Sequence, residues 1–308
     1  MVDARTARVS RELFFAAFGA GLGHVEPWVV DRLTAAVEED DAHAGDALYG
    51  IGDAPDSIYF LREGRVHVVA GDGTGRVVQA PGLVGMFDVL LDRRRARRAV
   101  ALTDLDLLRV QADAWMDVLE DSFQLARLQV TSLARTVADL EEKEWAMSPP
   151  RAASGVAQAQ ASPSPLSLLD KLVTLAEAPL LRGAGIQPLS DLAGVSEEAA
   201  FGAGAVVFAA GSRRDRIHLV VSGEIEARRD RPAVTWRGGP GQIVCDVASF
   251  SEPEHGWEAR AATSARTLSF RYEDWLDLME EHFEMVRSTL GGLALQCEAL
   301  ADRAAGAP

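Results

Sequence analysis

The densest chemistry in this 308-residue chain is a run of cations, Arg93-Arg94-Arg95-Ala96-Arg97-Arg98, in a sequence whose formal net charge is -15. Guanidinium groups are fixed forks of donors that match phosphate and carboxylate oxygens, so the run reads as an anion pocket or a docking patch for an acidic partner. The other reading is a solvated loop whose arginines pair with Asp88 or Asp92. No Ser/His/Asp order, Cys/His pair or His-Glu-x-x-His run occurs, and the six histidines (24, 43, 67, 218, 255, 282) lack metal-ligand spacing. The carboxylate pairs Glu38-Glu39 and Glu280-Glu281 read as solvated faces among helical charges. Gly19-Ala20-Gly21-Leu22-Gly23 has a dinucleotide-loop look. It follows the apolar helical stretch Leu13–Phe18 instead of a strand, however, and His24 stands where the last glycine belongs. Nothing here recommends an enzyme or a metal site.

Composition narrows the partners. Hydrophobic residues at 48% and charged residues at 25% can bury real cores, and the length fits about two domains. The net negative charge argues against DNA, which needs clustered cations along its phosphates. Cys245 and Cys297 stand far apart, the usage of a reducing cytoplasm. The N-terminal stretch has arginines but no apolar core of a signal peptide. The longest weakly apolar run, Ala199 to Gly211, falls short of the ~20 residues a membrane span requires. These features predict a cytoplasmic protein with no membrane span.

The elements that must position the arginines come in two copies. Met147–Pro165, rich in Pro, Ser, Ala and Gln, has no apolar periodicity and reads as a linker between a domain at 1–146 and a domain at 166–308. Gly45, Gly52, Asp56, Ile58 and Gly64 recur at an offset of 159 as Gly204, Gly211, Asp215, Ile217 and Gly223. Pro81-Gly82 recurs at that offset as Pro240-Gly241. After one inserted residue, Ala101, Leu108, Trp115, Asp117, Phe123 and Arg127 return at an offset of 160 as Ala261, Leu268, Trp275, Asp277, Phe283 and Arg287. So many matches at two adjacent offsets mean a duplication.

In each copy a stretch alternating about a glycine turn, Ser57–Val69 and Arg216–Ala227, reads as a β-hairpin. Asp113–Leu140 then changes to a period near 3.6, with Asp113 as N-cap, and Glu273–Leu300 does the same. Trp115 and Trp275, early in these helices, read as anchors of helix to strands, with capping of a ligand ring as the alternative.

Ala44 to Val69 (AGDALYGIGDAPDSIYFLREGRVHVV) resembles the opening motif of the cyclic-nucleotide-binding domain superfamily, and GAGAVVFAAGSRRDRIHLVVSGEIEA is a weaker second copy. That superfamily includes the catabolite activator protein and the regulatory subunits of cAMP-dependent protein kinase. The resemblance implies a mainly β fold with α. It consists of two antiparallel jelly-roll-type β-rolls, each with N-terminal helices and a long C-terminal closing helix. It also implies a cyclic nucleotide as the ligand to consider, its phosphate on an arginine and its ribose hydroxyl on a glutamate after a turn glycine.

Laid on the first copy, Gly85 is the turn glycine, Met86 falls at the glutamate, and Arg95 at the phosphate arginine, with Arg98 a further cation of the same cluster. A thioether is a weak acceptor. In the second copy Cys245 replaces the glycine, Asp246 keeps a shorter carboxylate, and His255 stands opposite Arg95. His255 reads as a pH-tuned phosphate contact or as a loop histidine, and Asp246 as a hydroxyl holder or a plain turn residue. Losing one charge-assisted hydrogen bond costs roughly 1.5–3 kcal/mol, about ten- to a hundredfold in affinity.

The expected function is therefore a non-enzymatic regulatory or adaptor protein acting through protein contacts, with cyclic-nucleotide binding weakened or lost. The closing helices are candidates for homo-oligomer contacts. The rival is a cyclic mono- or dinucleotide sensor, through the first domain, that controls a separate partner. No helix-turn-helix follows the second copy, which sets aside the transcription-factor version of the fold.

Overall fold

The computed structural model describes residues 27–147, 164–230, 233–244 and 254–306. The glycine run at 19–23, most of the linker, Cys245 and Asp246 lie outside the described residues. The chain forms two compact units. One takes in the described residues up to Ser132 together with those from Ala294, and the other runs Leu133–Leu293.

In the first unit α1 (Pro27–Ala35) leads into eight strands: β1 (Val37–Ala42), β2 (Ala47–Tyr49), β3 (Ser57–Glu63), β4 (Arg65–Ala70), β5 (Gly75–Gln79), β6 (Gly82–Val84), β7 (Arg97–Ala101) and β8 (Leu105–Gln111). A short helix, α2 (Met86–Leu90), interrupts them before β7, and α3 (Ala112–Asp121) and α4 (Phe123–Met147) follow. The strands make two antiparallel sheets, β1-β8-β3-β6 and β2-β7-β4-β5. Tyr49, Tyr59, Leu61, Val66, Val68, Val84, Ala99, Ala101, Leu105 and Leu107 form the buried apolar cluster that both sheets contribute to. The last turns of α8 (Phe283–Gly306) belong to this unit as well.

The second unit takes α4 from Leu133 onward and then α5 (Leu168–Glu177), whose start carries a Ser167/Asp170 capping box, and α6 (Ile186–Val195). Eight strands follow: β9 (Glu197–Phe201), β10 (Val206–Phe208), β11 (Arg216–Ser222), β12 (Ile225–Asp230), β13 (Ala233–Gly238), β14 (Ile243–Val244), β15 (Glu258–Ala261) and β16 (Ala265–Arg271). Then come α7 (Tyr272–Glu281) and α8. The sheets, β14-β11-β16-β9 and β10-β15-β12-β13, repeat the first unit's order strand for strand. Even the register shifts repeat, between Leu61 and Glu63 and between Val220 and Ser222. The duplication and the tandem-roll fold expected from the sequence are both present.

Three local expectations are corrected. The glycine turns at 64 and 223 do not join hairpins: β3 pairs with β6 and β8, while β4 pairs with β5 and β7, and β11 and β12 divide in the same way. Alternation identifies a strand with a buried face, but it does not identify the strand's partner. The turn is a corner between sheets. Gly64 adopts φ +93 there, and a Cβ would stand 2.5 Å from the Asp104 carbonyl oxygen, so only glycine closes it. Glu38 and Glu39 lie on the exposed strand β1, not among helical charges. The expected single helix breaks at Ser122 (φ -134, ψ 93) and again at His282 (φ -131, ψ 97), and its N-cap is Gln111, with Asp113 inside the first turn. A one-residue break leaves the 3.6 period intact on both sides, which is why the pattern passes over it.

Trp115 and Trp275 are almost fully buried, as the anchoring reading requires. Trp115 meets Phe60 at 6.3 Å, and Trp275 stacks on Phe270 at 5.4 Å. The aromatic partner sits on β3 in one unit and on β16 in the other.

Candidate functional site

The candidate pocket of the first unit is built where the segment between α2 and β7 meets the loop before β3. Backbone bonds fix the crossing: Gly52 N–H donates to the Arg95 carbonyl at 2.9 Å, and Arg95 N–H donates to the Asp53 carbonyl at 2.9 Å. Arg95, 1% exposed, turns its guanidinium inward. Its Nη1 donates to the Gly85 carbonyl at 2.6 Å and its Nη2 to the Ser57 carbonyl. The group lies over the Tyr49 ring, 4.3 Å from its centroid. Gly85, at φ +88, makes room for it, since a Cβ there would come within 2.9 Å of Nη1. Burial pushes the Tyr49 phenol up to about 12, against the opposing pull of Arg95. Met86 is buried at the start of α2 and brings no oxygen to the site.

The remaining arginines divide. Arg93 Nε donates to buried Asp88 at 2.8 Å, and its Nη2 reaches Glu298 at 2.6 Å. Arg97 also donates to Glu298, and to Asp302 at 2.6 Å. Arg94 donates to the Gly52 carbonyl at 2.8 Å, while Arg98 is exposed on β7 opposite Val69. Arg76 on β5 lies 5.4 Å from the Phe87 ring centroid; burial, then the neighbouring Arg97, lowers its pKa from the ordinary arginine value. The pairing of an arginine with Asp88 is thus present. The larger share of the neutralisation comes from Glu298 and Asp302 on the last turns of α8, which sequence order could not reveal.

Because Glu298 is 8% exposed and joins two guanidinium groups, removing its charge takes one of two carboxylate partners from each arginine. Breaking a buried pair costs about 3–5 kcal/mol, and the one-third exposure of Arg93 reduces that to about 2. Urea unfolding followed by hydrogen exchange on β7 should show Glu298→Gln destabilising the first unit by that amount. An unchanged midpoint would mean that the arginines are satisfied without the helix.

The second unit reproduces the framework and changes its chemistry. Gly211 N–H donates to the His255 carbonyl at 2.7 Å, and His255 N–H donates to the Ser212 carbonyl at 2.9 Å, the same two bonds that hold Arg95. The His255 ring stacks on Phe208 at 3.9 Å and 7°, and Phe208 takes the place of Tyr49. His255 therefore occupies the Arg95 position in the backbone, as the offset of 160 implies. Burial first, then the charge of Arg214, pulls its pKa down to about 4. His218, on β11 where Tyr59 lies on β3, is also held to about 4 by burial and by Arg216, and its Nδ1 meets the Thr267 hydroxyl at 3.2 Å. Both imidazoles are neutral near pH 7. Arg260, the arginine five residues beyond His255, is exposed and bound to Glu258 at 2.6 Å.

Sequence reasoning missed Arg214. It stands where the first copy has Pro55 and is 6% exposed, and its Nε and Nη1 have no hydrogen-bond partner among the described residues. The signal was an Arg213-Arg214 pair replacing Ala54-Pro55 at an equivalent turn.

Two eight-stranded antiparallel rolls, each with Arg95 or His255 set over an aromatic ring at the same backbone crossing, define a duplicated β-roll module. The model of the cyclic nucleotide-binding domain matches residues 40–122 and 198–282, more than half of the chain, and the chain belongs to that family. Solved structures to which it is similar include the regulatory domain of Toxoplasma gondii PKA with cAMP, at 15% identity and TM-score 0.33, covering 98% of this chain and 97% of that one. Another is the regulatory subunit of a cAMP-independent protein kinase A from Trypanosoma brucei, at 13% identity and TM-score 0.36, covering 100% and 91%. A third is the corresponding Trypanosoma cruzi subunit bound to guanosine, at 12% identity and TM-score 0.34, covering 92% and 86%. A search of curated proteins returned no match. Among the described residues no helix is long and apolar enough to cross a membrane, and no cluster of His, Cys, Asp or Glu could hold a metal ion.

Proposed function

We propose that this chain is a non-enzymatic regulatory protein that works through protein contacts, with cyclic-nucleotide binding weakened in both rolls. One observation carries the reading: both Nη groups of Arg95, the donors a cyclic phosphate would use, are bonded to the Gly85 and Ser57 carbonyls. Two others support it. Met86 stands where the ribose acceptor belongs, and the cation at the equivalent place in the second roll is a neutral histidine. A cyclic nucleotide does not fit these residues as they are arranged, because phosphate would have to displace two internal hydrogen bonds of a charged group.

The sensor reading is favoured by a single atom: Arg95 Nε is buried without a partner among the described residues. Thermal unfolding of the full chain with cAMP, cGMP and a cyclic dinucleotide, each at about 1 mM, separates the two. A dissociation constant above that concentration stabilises by less than about 0.4 kcal/mol, and no resolvable shift is the expected outcome. Binding a hundredfold tighter gives about 2.7 kcal/mol, and a shift approaching that size with any of the three would overturn the proposal.

A further inference from the structure

The outer face of one sheet differs between the two rolls in a way that the shared fold does not require. In β2-β7-β4-β5, Val66, Val68, Ala99 and Ala101 turn into the buried cluster, so the residues that alternate with them face outward. Strand pairing sets these outward residues side by side. Val100, His67 and Val77 make one row, and Arg98, Val69 and Gly75 the next. Arg65, paired with Gln79, follows at the start of β4, and the Leu102 N–H donates to its carbonyl at 2.8 Å. Val77 is 54% exposed and Leu102 43%. Arg65 and Arg98 are exposed, and neither has a carboxylate partner among the described residues.

In β10-β15-β12-β13 the same rows read Arg260, Glu226, Arg237 and Glu258, Arg228, Thr235, with Glu224 in the place of Arg65. There the charges close on each other. Glu226 accepts from Arg228 at 2.5 Å and from Arg237 at 2.6 Å, and Arg260 donates to Glu258 at 2.6 Å. The second roll thus shows that this face folds with a lattice of ion pairs, so the apolar row of the first is no condition of the fold. An edge strand is ordinarily guarded by charge, as Arg237 guards β13. Strand β5 is the edge of its sheet and has Val77 at that position. A contiguous exposed apolar row with a polar rim marks an interaction surface.

We propose that the outer face of β2-β7-β4-β5 docks a partner protein through an extended segment in which apolar side chains are flanked by carboxylates. The two arginines select that chemistry, because a face with two guanidinium groups and no carboxylate is complementary to an acidic rim. Arg98 lies opposite Val69, four residues beyond Arg65 on β4, which is about 13 Å along the strands. That is the separation of residues i and i+4 on one side of an extended chain, with i+2 over the Val77 row. A second copy docking through the same face would set arginine against arginine, which excludes it as the occupant. The inference rests on the protein-contact part of the function proposed above and not on the state of either pocket.

The full chain is panned against a library of random displayed peptides, as wild type and as two double variants. Wild type should enrich peptides that alternate apolar and acidic residues, and an enriched peptide should slow amide exchange in β4, β5 and β7. His67→Glu with Val77→Arg copies the Glu226–Arg237 pair that the second roll already folds with, and should lower that enrichment at least tenfold. Arg65→Glu with Arg98→Glu should turn the preference from acidic to basic peptides. Enrichment that ignores both variants overturns the proposal. So does the absence of acidic peptides, the outcome where a segment of the chain itself covers the face. Sedimentation that shows wild type self-associating and the charge-reversed variant monomeric makes a second copy the occupant and overturns it as well. Failure of this face with no thermal shift from cyclic nucleotides leaves the protein-contact reading standing on another surface. A nucleotide shift sinks that reading whatever the peptides do.

Discussion

Lowering the pH from 7 to 5 is expected to unfold the second unit well before the first. His218 and His255 are both held near 4 in the folded chain, chiefly by burial, whereas an ordinary histidine titrates near 6.5. Above pH 6.5 both are neutral, folded or unfolded, and contribute no pH dependence. Between 6.5 and 4 the unfolded chain takes up protons that the folded chain refuses, so stability falls as pH falls and the loss is complete below the folded value. For His218 the arithmetic gives about 2 kcal/mol lost by pH 5 and about 3 by pH 4, at roughly 1.4 kcal/mol per pH unit of displacement. His255 adds a loss of the same sign, since protonating both rings sets two like charges beside Arg214 and Arg216, with Asp215 opposing.

Among the described residues of the first unit the histidines are His43, which is exposed, and His67, which is half-buried. His282, at 3.1 Å from Asp191, is the remaining described histidine of the second unit and is not fully buried. Hydrogen exchange at pH 7 and pH 5, compared between β1–β8 and β9–β16, reads the difference. His218→Gln with His255→Phe should flatten it. Equal loss in both units, or a slope that survives the double substitution, would refute the assignment to these two rings.

The repeat was legible because its signals are local. A glycine at a corner, a strand of alternating burial and a tryptophan at a helix start each need only a few neighbouring residues to be recognised, and each recurs at a fixed offset. The alignment of His255 with Arg95 follows from the same arithmetic, and Gly52 and Gly211 make the same backbone bond to the two residues. What stayed hidden is non-local. Strand partners depend on where the chain returns, so the turns at Gly64 and Gly223 looked like hairpins. Glu298 lies 205 residues from Arg93, and no pattern around either residue announces the other. Arg214 is hidden for a different reason: it stands on the loop before β11, where the first copy has Pro55, so the repeat offers no equivalent cation to flag it.

The same contrast between a ligand arginine and a structural one gives the second large expected effect. An arginine kept free for a ligand can be cut back to alanine with the fold intact. Arg95 is instead 1% exposed, bonded to the Gly85 and Ser57 carbonyls and seated over Tyr49. Arg95→Ala removes two charge-assisted hydrogen bonds and a ring contact and leaves a cavity beside a left-handed glycine. The desolvation of the guanidinium that is recovered offsets part of this, and the net loss for the first unit is expected at about 3 kcal/mol. Arg95→Lys should recover little of it, because one ammonium on a flexible stem cannot span both carbonyls as a planar fork does. The second roll shows which replacement the framework accepts: at the same backbone crossing His255 lies flat on Phe208. Arg95→His should therefore cost least of the three, its ring taking up the stack on Tyr49. Urea unfolding monitored on the first unit orders the variants His, Lys, Ala from least to most damaging. If all three left the midpoint unchanged, Arg95 would be a residue held for a ligand, and the protein-contact reading of this family member would give way to the sensor.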